Sequence, residues 1–459
     1  MIFNHYECKF RVGDMQKKTL LASLVVATLT THAVAAQSLL ETYEQAVAND
    51  PSLAIARLQS ESAQQDVTSG FANVLPSVSA SVNYGVGTES FQAPTDEESL
   101  AFDFDRQRLS ASLQVQQNIF VLAAFTAYDA VKVNASLKEM EAAQAEQDLL
   151  VTVAEKYINA LKAKEALDVL NAQLEAVDRQ YEQTQQRYDV GLVTITDVLD
   201  AEATLDQTRV SLIRAESQYD IALQDLYTLT GSVPDGVMSI SENVPVDAPA
   251  ESGQQKWVDF AVSNHPEVLM AQKGLEVGEL TLKAERERLL PSVGGQFSLD
   301  YSDVFGSDPV GNDNEQNWSA SVGISIGMDL YSGGANQARI AKQGITNNIT
   351  EQNIEMLKRN IAVQVANLYR TVRADAENVD AQIQALESRE SALQATTVGY
   401  DVGTRNIVEV LNAQLAVFSA QNALNNARYD YLLNLLRLKQ AAGQLSIADL
   451  DSIEQYLVN

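Results

Sequence analysis

Four segments of the chain alternate between apolar residues and small or polar ones. They are Ser77–Val86, Leu109–Phe120, Phe297–Tyr301 and Trp318–Leu330. A period of two residues predicts β-strands with one apolar and one polar face. Strands of about ten residues with this pattern are typical of transmembrane sheets, although soluble antiparallel sheets also show it. Acidic, glycine-containing stretches at about 87–107 and 303–316 are predicted as the loops between paired strands.

Two long stretches lack the residues that usually break a helix. Val121–Val190 contains no glycine or proline, and Ala335–Val398 contains only Gly344. Both are rich in Ala, Gln, Glu, Leu and Lys, a composition that favours helix. A helix of about 68 residues is roughly 100 Å long, which no globular core requires. The pattern therefore predicts long helices that pack as coiled coils.

The segments that follow the two long helices carry a seven-residue repeat, in which one position is large and one is small. In the first half of the chain it consists of Val198, Leu205, Leu212, Tyr219 and Leu226 with Ala201, Thr208, Ala215, Ala222 and Leu229. Equivalent residues recur about 212 positions later. This repeat predicts a closely packed helical seam, and an ordinary core stripe is the alternative.

An internal duplication organises the chain. Leu75–Val78 and Leu290–Val293 both have the sequence LPSV, and Tyr188–Gly191 matches Tyr400–Gly403. We predict a first structural repeat at 37–231 with the order helix, two strands, long helix, helix. A linker at 232–255, a second repeat at 256–443 and a C-terminal segment at 444–459 follow.

The N-terminus has the features of a secretory signal peptide. Lys17 and Lys18 precede the apolar stretch Thr19–Leu29, and Ala33–Ala36 provides small residues for cleavage. We predict residues 1–36 as this signal, with Met15 as the true start. No later stretch of 18 apolar residues occurs, so we expect export without a helical anchor. The periplasm, the exterior and an outer-membrane barrel remain possible destinations.

Composition limits the classes of function. The chain has 61 acidic and 32 basic residues, a net charge of −29, which argues against a nucleic-acid partner. Beyond the predicted signal, His265 is the one histidine and no cysteine remains. Cys/His metal sites and histidine-based nucleophile relays are therefore not expected. The sequence predicts neither an enzyme nor a bound cofactor.

Four strands are too few to close a membrane barrel, because known barrels begin at about eight strands and an open sheet edge is not stable in lipid. If these strands span a membrane, several chains must each contribute four. Since each long helix follows a strand directly, such a barrel would continue into a helical tube.

These features resemble the TolC-type outer-membrane channel proteins of Gram-negative efflux and type I secretion. The most specific matches are YDVGTRNIV at 400–408, YSGG at 331–334, ARYDYL at 427–432 and the doubled LPSV. The resemblance covers about 39–457. It implies an α+β membrane protein, a homotrimer with a 12-strand outer-membrane β-barrel continued by a 12-helix periplasmic coiled-coil tunnel. Residues 38–50, 232–255 and 444–459 would form an equatorial belt around the tunnel.

The resemblance also implies a function and partners. The protein would be the outer-membrane exit duct of a tripartite efflux or type I secretion system, with the tunnel in the periplasm. A periplasmic adaptor and an inner-membrane RND, MFS or ABC pump would supply substrates and energy. A non-transporting coiled-coil surface scaffold or adhesin is the alternative.

The resemblance implies a closing device at the far end of the tunnel. In the family, Tyr and Arg at the positions of Tyr400 and Arg405 contact Thr and Asp at those of Thr196 and Asp197. We call these four residues the tip latch.

Two acidic rings at the tunnel mouth are implied in the same way. The family carries Asp where this chain has Glu409 and Asn412, so one ring loses its charge. Asp200 stands on the sister helix, and we hypothesise that it partly restores that ring.

Overall fold

The computed structural model describes residues 36–93, 100–241, 245–250, 253–305 and 315–458. The predicted signal peptide lies outside these ranges, apart from Ala36. Within them the chain is mostly helical, and four strands form one antiparallel sheet. No helix in these ranges has both the length and the apolar character needed to cross a membrane.

Six elements form the first half of the described chain. They are α1 (Leu39–Asn49), α2 (Pro51–Ala72), β1 (Ser77–Ala93), β2 (Leu100–Phe120), α3 (Leu122–Asp189) and α4 (Ile195–Thr230). The predicted long helix is confirmed as α3, to within one residue at each end. The predicted loop at about 87–107 is mostly wrong, because β1 and β2 extend into it and pair as far as Ala93 and Leu100.

The second half repeats this order after a short strand. Its elements are β3 (Ser239–Ile240), α5 (Gln254–Asn264), α6 (Pro266–Glu287), β4 (Ser292–Phe305), β5 (Glu315–Gly327), α7 (Ala335–Asp401), α8 (Ile407–Ala441), α9 (Ile447–Glu454) and β6 (Leu457–Val458). Helix α7 passes through Gly344 without a break. The last predicted strand ends at Gly327, so Met328–Leu330 lie beyond it.

In each half, the helical segment before the strands consists of two helices, and the second of them begins at a proline that occurs in both repeats. Pro51 and Pro266 each occupy the first turn of a helix, where a missing N–H costs nothing. The preceding residue caps that helix. Asp50 Oδ1 accepts from the Leu53 N–H at 2.7 Å, and His265 Nδ1 accepts from the Glu267 N–H at 3.2 Å.

The imidazole cap should make the start of α6 sensitive to pH. Burial lowers the pKa of His265, so the folded chain keeps a neutral ring while the unfolded chain binds a proton below about pH 6.5. Stability of this turn is therefore full above pH 6.5 and falls as the pH drops towards the folded pKa. We expect amide exchange at Glu267–Leu269 to be about fivefold faster at pH 5 in the wild type than in His265→Asn, whose cap does not titrate. Equal rates in the two proteins at pH 5 would show that this cap does not respond to pH.

The sheet has the strand order β1-β2-β4-β5, and every pair is antiparallel. The strand register places apolar residues of all four strands side by side, as in the row Val78, Val115, Phe297 and Val322. Polar rows alternate with the apolar ones, and in one of them the Ser81 and Ser112 hydroxyl oxygens lie 2.8 Å apart. The predicted two-faced strands are confirmed. Their apolar face is exposed within one chain, and Val322 is 84% accessible.

The predicted helical seam is confirmed by burial. Of the ten seam residues on α4, seven are buried, and Leu212, Ala215 and Tyr219 are half-buried. Helix α4 packs against α3, and α8 packs against α7. Each fully buried Leu or Val contributes about 1.5–3 kcal/mol, so the seam is a major source of stability for each hairpin.

Tyrosine hydroxyls hold the linker between the repeats. The Tyr157 hydroxyl accepts from the Met238 N–H at 3.2 Å, and the Tyr219 hydroxyl accepts from the Val237 N–H at 3.4 Å. Strand β3 in the same linker pairs with the C-terminal strand β6. Equivalent tyrosines of the second half hold the later part of the linker, in the contacts of Tyr431 with Asp247 and of Tyr369 with Ala250.

Candidate functional site at the helical tips

The two helical hairpins end in the same kind of turn, and we call residues 187–200 and 399–412 the helical tips. After α3, the Gly191 and Leu192 N–H groups donate to the Tyr188 and Arg187 carbonyls, each at 2.8 Å. After α7, Gly403 takes the equivalent role. Both glycines have positive φ angles of 75° and 78°, which a residue with a Cβ adopts only at a cost. The repeated YDVG sequence therefore encodes a helix stop.

The next residues start the return helices. Thr194 and Asp197 form a capping box at α4, in which the Asp197 carboxylate accepts from the Thr194 N–H at 2.8 Å. At α8, Asn406 Oδ1 accepts from the Glu409 N–H at 2.9 Å. Asp197 and Glu409 thus occupy equivalent first-turn positions, where a carboxylate is favoured by the helix dipole. Each stabilises its helix start as well as adding charge to the tip.

Arg405 lies against Glu409 on its own helix. The guanidinium forms an ion pair with the Glu409 carboxylate and holds its pKa below the usual range. The Arg405 side chain crosses Gly399, where a Cβ would lie 2.7 Å from Arg405 Cγ. Glycine at 399 therefore leaves the space that this arginine occupies, and the charge of Glu409 is locally offset.

A second arginine ties the two hairpins together. Arg187 at the end of α3 forms an ion pair with Asp401 at the end of α7, with 3.3 Å between Nη2 and Oδ1. Its guanidinium carbon also lies 4.7 Å from the centre of the Tyr400 ring. Such a cation–π contact contributes about 0.5–1 kcal/mol at an exposed site. The Tyr400 hydroxyl is buried and has no partner in the described residues.

Within one chain, the structure does not bring the tip latch together. Asp197 contacts Thr194, Arg405 contacts Glu409, and Tyr400 stacks on Arg187. Thr196 is exposed, and its hydroxyl forms no hydrogen bond with the described residues. The latch consequently stays a prediction for contacts between neighbouring chains.

Asp200 and Asn412 lie in the same groove. Both line an open groove of about 470 Å³ where α4 faces α8, with Gln173 of α3 at its edge. The Asp200 carboxylate is exposed and forms neither a hydrogen bond nor an ion pair within the described ranges. Small and hydroxyl-bearing residues, among them Thr204, form the rest of the polar wall. An uncompensated carboxylate therefore shares this groove with Asn412, the position at which the resemblance predicts a ring acid.

The sequence reasoning missed Arg187, Gly399 and Asp401. A comparison of the two repeats could have found the first two, because Arg187 stands in the first copy where Gly399 stands in the second. Glycine at 399 leaves room for the Arg405 side chain at the second tip. Arginine at 187 provides the guanidinium that pairs with Asp401 from the first tip.

Three kinds of comparison with known proteins agree on one family. A family model described as outer membrane efflux protein matches residues 42–232 and 257–444. The chain is 31% identical to outer membrane protein TolC of Vibrio cholerae, over 94% of this chain and 97% of that protein. It is 27% identical to the alkaline protease secretion protein AprF of Pseudomonas aeruginosa, over 92% and 88% of the two chains. Among solved structures, the Campylobacter jejuni CmeC outer membrane channel has the same fold, with a TM-score of 0.72, 16% identity and coverage of 91% and 89%.

Proposed function

The chain belongs to the outer membrane efflux protein family, and we propose that it forms the outer-membrane exit duct of an efflux or type I secretion system. One observation carries this proposal. A sheet with an exposed apolar face leads into helices of 68 and 67 residues, the first after one residue and the second after seven. This arrangement is suited to a channel that crosses a membrane and extends beyond it. The description of the family names efflux, and the relative AprF is named for secretion of a protease, so both routes of export have support.

We propose that three copies assemble into a 12-strand barrel. In one chain the outer edges of β1 and β5 have no strand beside them within the described residues. Unpaired backbone groups are costly in lipid, so β1 of one copy should pair with β5 of the next until the barrel closes. The aligned apolar rows would then face lipid, and the serine-rich rows would face the water-filled interior.

The same assembly would place twelve helices in a tunnel below the barrel. Each copy contributes four helical rods to the tunnel. Two are the continuous helices α3 and α7, and the other two are built from the shorter helices packed on them. Exposed apolar residues of α7, such as Ile349, Met356 and Val363, recur every seventh position and remain uncovered in one chain. A neighbouring copy would cover them as a coiled-coil partner does.

The tunnel has no energy source of its own, so transport through it must be driven elsewhere. A periplasmic adaptor and an inner-membrane RND, MFS or ABC pump would complete the pathway. At the helical tips, Asp197, Asp200 and Glu409 would form acidic rings in a trimer, which attract cations and concentrate the field at a constriction.

The copy number provides a direct test of this assembly. Protein extracted from outer membranes in mild detergent should have a protein mass of three chains by light scattering and should dissociate to single chains on heating. A monomer, or a dimer that survives dilution, would contradict the closed 12-strand barrel, because four or eight strands would then have to close alone.

A further inference from the structure

A second cavity lies at the junction between the sheet and the helices. Its volume is about 470 Å³, and four chain segments contribute to its wall. They are the β2–α3 connection, the α6–β4 connection, the end of β5 and the first turns of α7. In the proposed assembly this junction is the level at which the periplasmic leaflet of the outer membrane ends.

Two guanidinium groups line this cavity. Arg288 is paired with Glu285, with 3.1 Å between Nη1 and Oε1, and remains 54% exposed. Arg339 contacts the side-chain oxygen of Asn336, a neutral group, and is exposed. Arginine binds phosphate oxygens through two parallel N–H groups. Arg288 follows α6 and Arg339 lies in the first turns of α7, so two separate segments of the wall each contribute a phosphate-binding group.

The two carboxylates that line the cavity differ in whether they already have a partner. Glu287 accepts a hydrogen bond from the Thr126 hydroxyl at 2.5 Å, and Lys283 Nζ lies 3.8 Å from its other oxygen. Asp329, in contrast, is exposed and has no hydrogen bond or ion pair within the described part of the chain. The cavity thus offers two cations and one available carboxylate.

Apolar side chains adjoin this charged wall. Leu290 and Met328 line the cavity, and both are about half exposed. Leu330 and Tyr331, which follow Asp329 directly, are each 87% exposed. In water this exposure would be unfavourable, whereas beside a bilayer interface Leu would contact acyl chains and Tyr would lie at the level of the headgroups.

We propose that this junction cavity binds the headgroup of an ethanolamine phospholipid. The phosphate lies between Arg288 and Arg339, the ammonium group pairs with Asp329, and the acyl chains pass along Leu330 and Tyr331. A headgroup without an ammonium group would leave Asp329 unpaired beside a phosphate. The site therefore distinguishes phosphatidylethanolamine from phosphatidylglycerol. This inference rests on the proposed membrane assembly.

Native mass spectrometry of the delipidated trimer tests the proposal. The trimer is incubated with equal amounts of phosphatidylethanolamine and phosphatidylglycerol that carry the same acyl chains. We expect the wild type to retain phosphatidylethanolamine in preference to phosphatidylglycerol. The double variant Arg288→Gln with Arg339→Gln should retain either lipid about tenfold less, because charge-assisted hydrogen bonds to phosphate are lost. Asp329→Asn should keep lipid binding but lose the preference.

Arg286→Gln is the matched control, because it removes an exposed cation from the same end of α6 that does not line the cavity. It should bind lipid as the wild type does. Equal retention of the two lipids by the wild type, or undiminished retention by the double variant, would overturn the lipid site. The same preparations are tested for conductance in planar bilayers. A conducting wild type without lipid preference refutes this inference alone, whereas a protein that forms no trimer and does not conduct refutes the proposed function with it.

Discussion

Replacement of Arg405 by serine should raise the resting conductance of single channels several-fold. If the tip latch forms between neighbouring chains, Arg405 is its one cation, and its loss removes three links from a trimer at once. The structure adds a second effect, because Arg405 also offsets the charge of Glu409 on its own helix. Conductance is measured in planar bilayers at fixed salt.

A charge-compensated variant separates these two effects. Arg405→Ser with Glu409→Gln removes one positive and one negative charge, so the net charge of the tip is unchanged. If the latch holds the tunnel closed, the double variant stays as conductive as Arg405→Ser. A return to the wild-type value would mean that Arg405 acts through the charge of Glu409, and unchanged conductance in both variants would refute the latch.

Replacement of Asp200 by asparagine should lower the cation-to-anion permeability ratio by about threefold. The carboxylate has no partner in the described residues and shares a groove with Asn412. In a trimer its removal deletes three charges at a narrow mouth, where carboxylates attract cations and repel anions. Reversal potentials in a salt gradient measure the ratio, and an unchanged ratio would refute the idea that Asp200 replaces the missing ring acid.

Two further variants make the selectivity test specific. Glu202→Gln removes an equal charge from an exposed position two residues away that does not line the groove, so it should have a much smaller effect. Asn412→Asp should raise the ratio, because it adds a carboxylate on the facing wall. Equal effects of Asp200→Asn and Glu202→Gln would assign selectivity to the general acidity of the tip.

Local periodicity explains which parts of the fold could be predicted. The period of two in Ser77–Val86 and the glycine-free run of α3 depend on neighbouring residues, and both are confirmed. The strand lengths were underestimated, because pairing with β2 keeps the less apolar end of β1 extended. The placement of β2 beside β4 could not be predicted, since alternation fixes the face of a strand but not its neighbour.

The same distinction applies at the helical tips. The capping residues Asp197 and Glu409 follow from the position of acids in a first turn, which the sequence shows. The contact of Arg187 with Tyr400 joins two hairpins that are more than 200 residues apart in sequence. No local pattern reports which helix ends meet, so such a contact requires the tertiary structure.

Conductance of the purified protein tests the central claim most directly. A trimer extracted from outer membranes and added to planar bilayers should produce discrete conductance steps. These should favour cations, because the Asp200 carboxylate at each tip has no partner within the described residues. A protein that remains a soluble or merely anchored fibre, and produces no steps at any concentration, would contradict the exit duct and favour a coiled-coil surface scaffold.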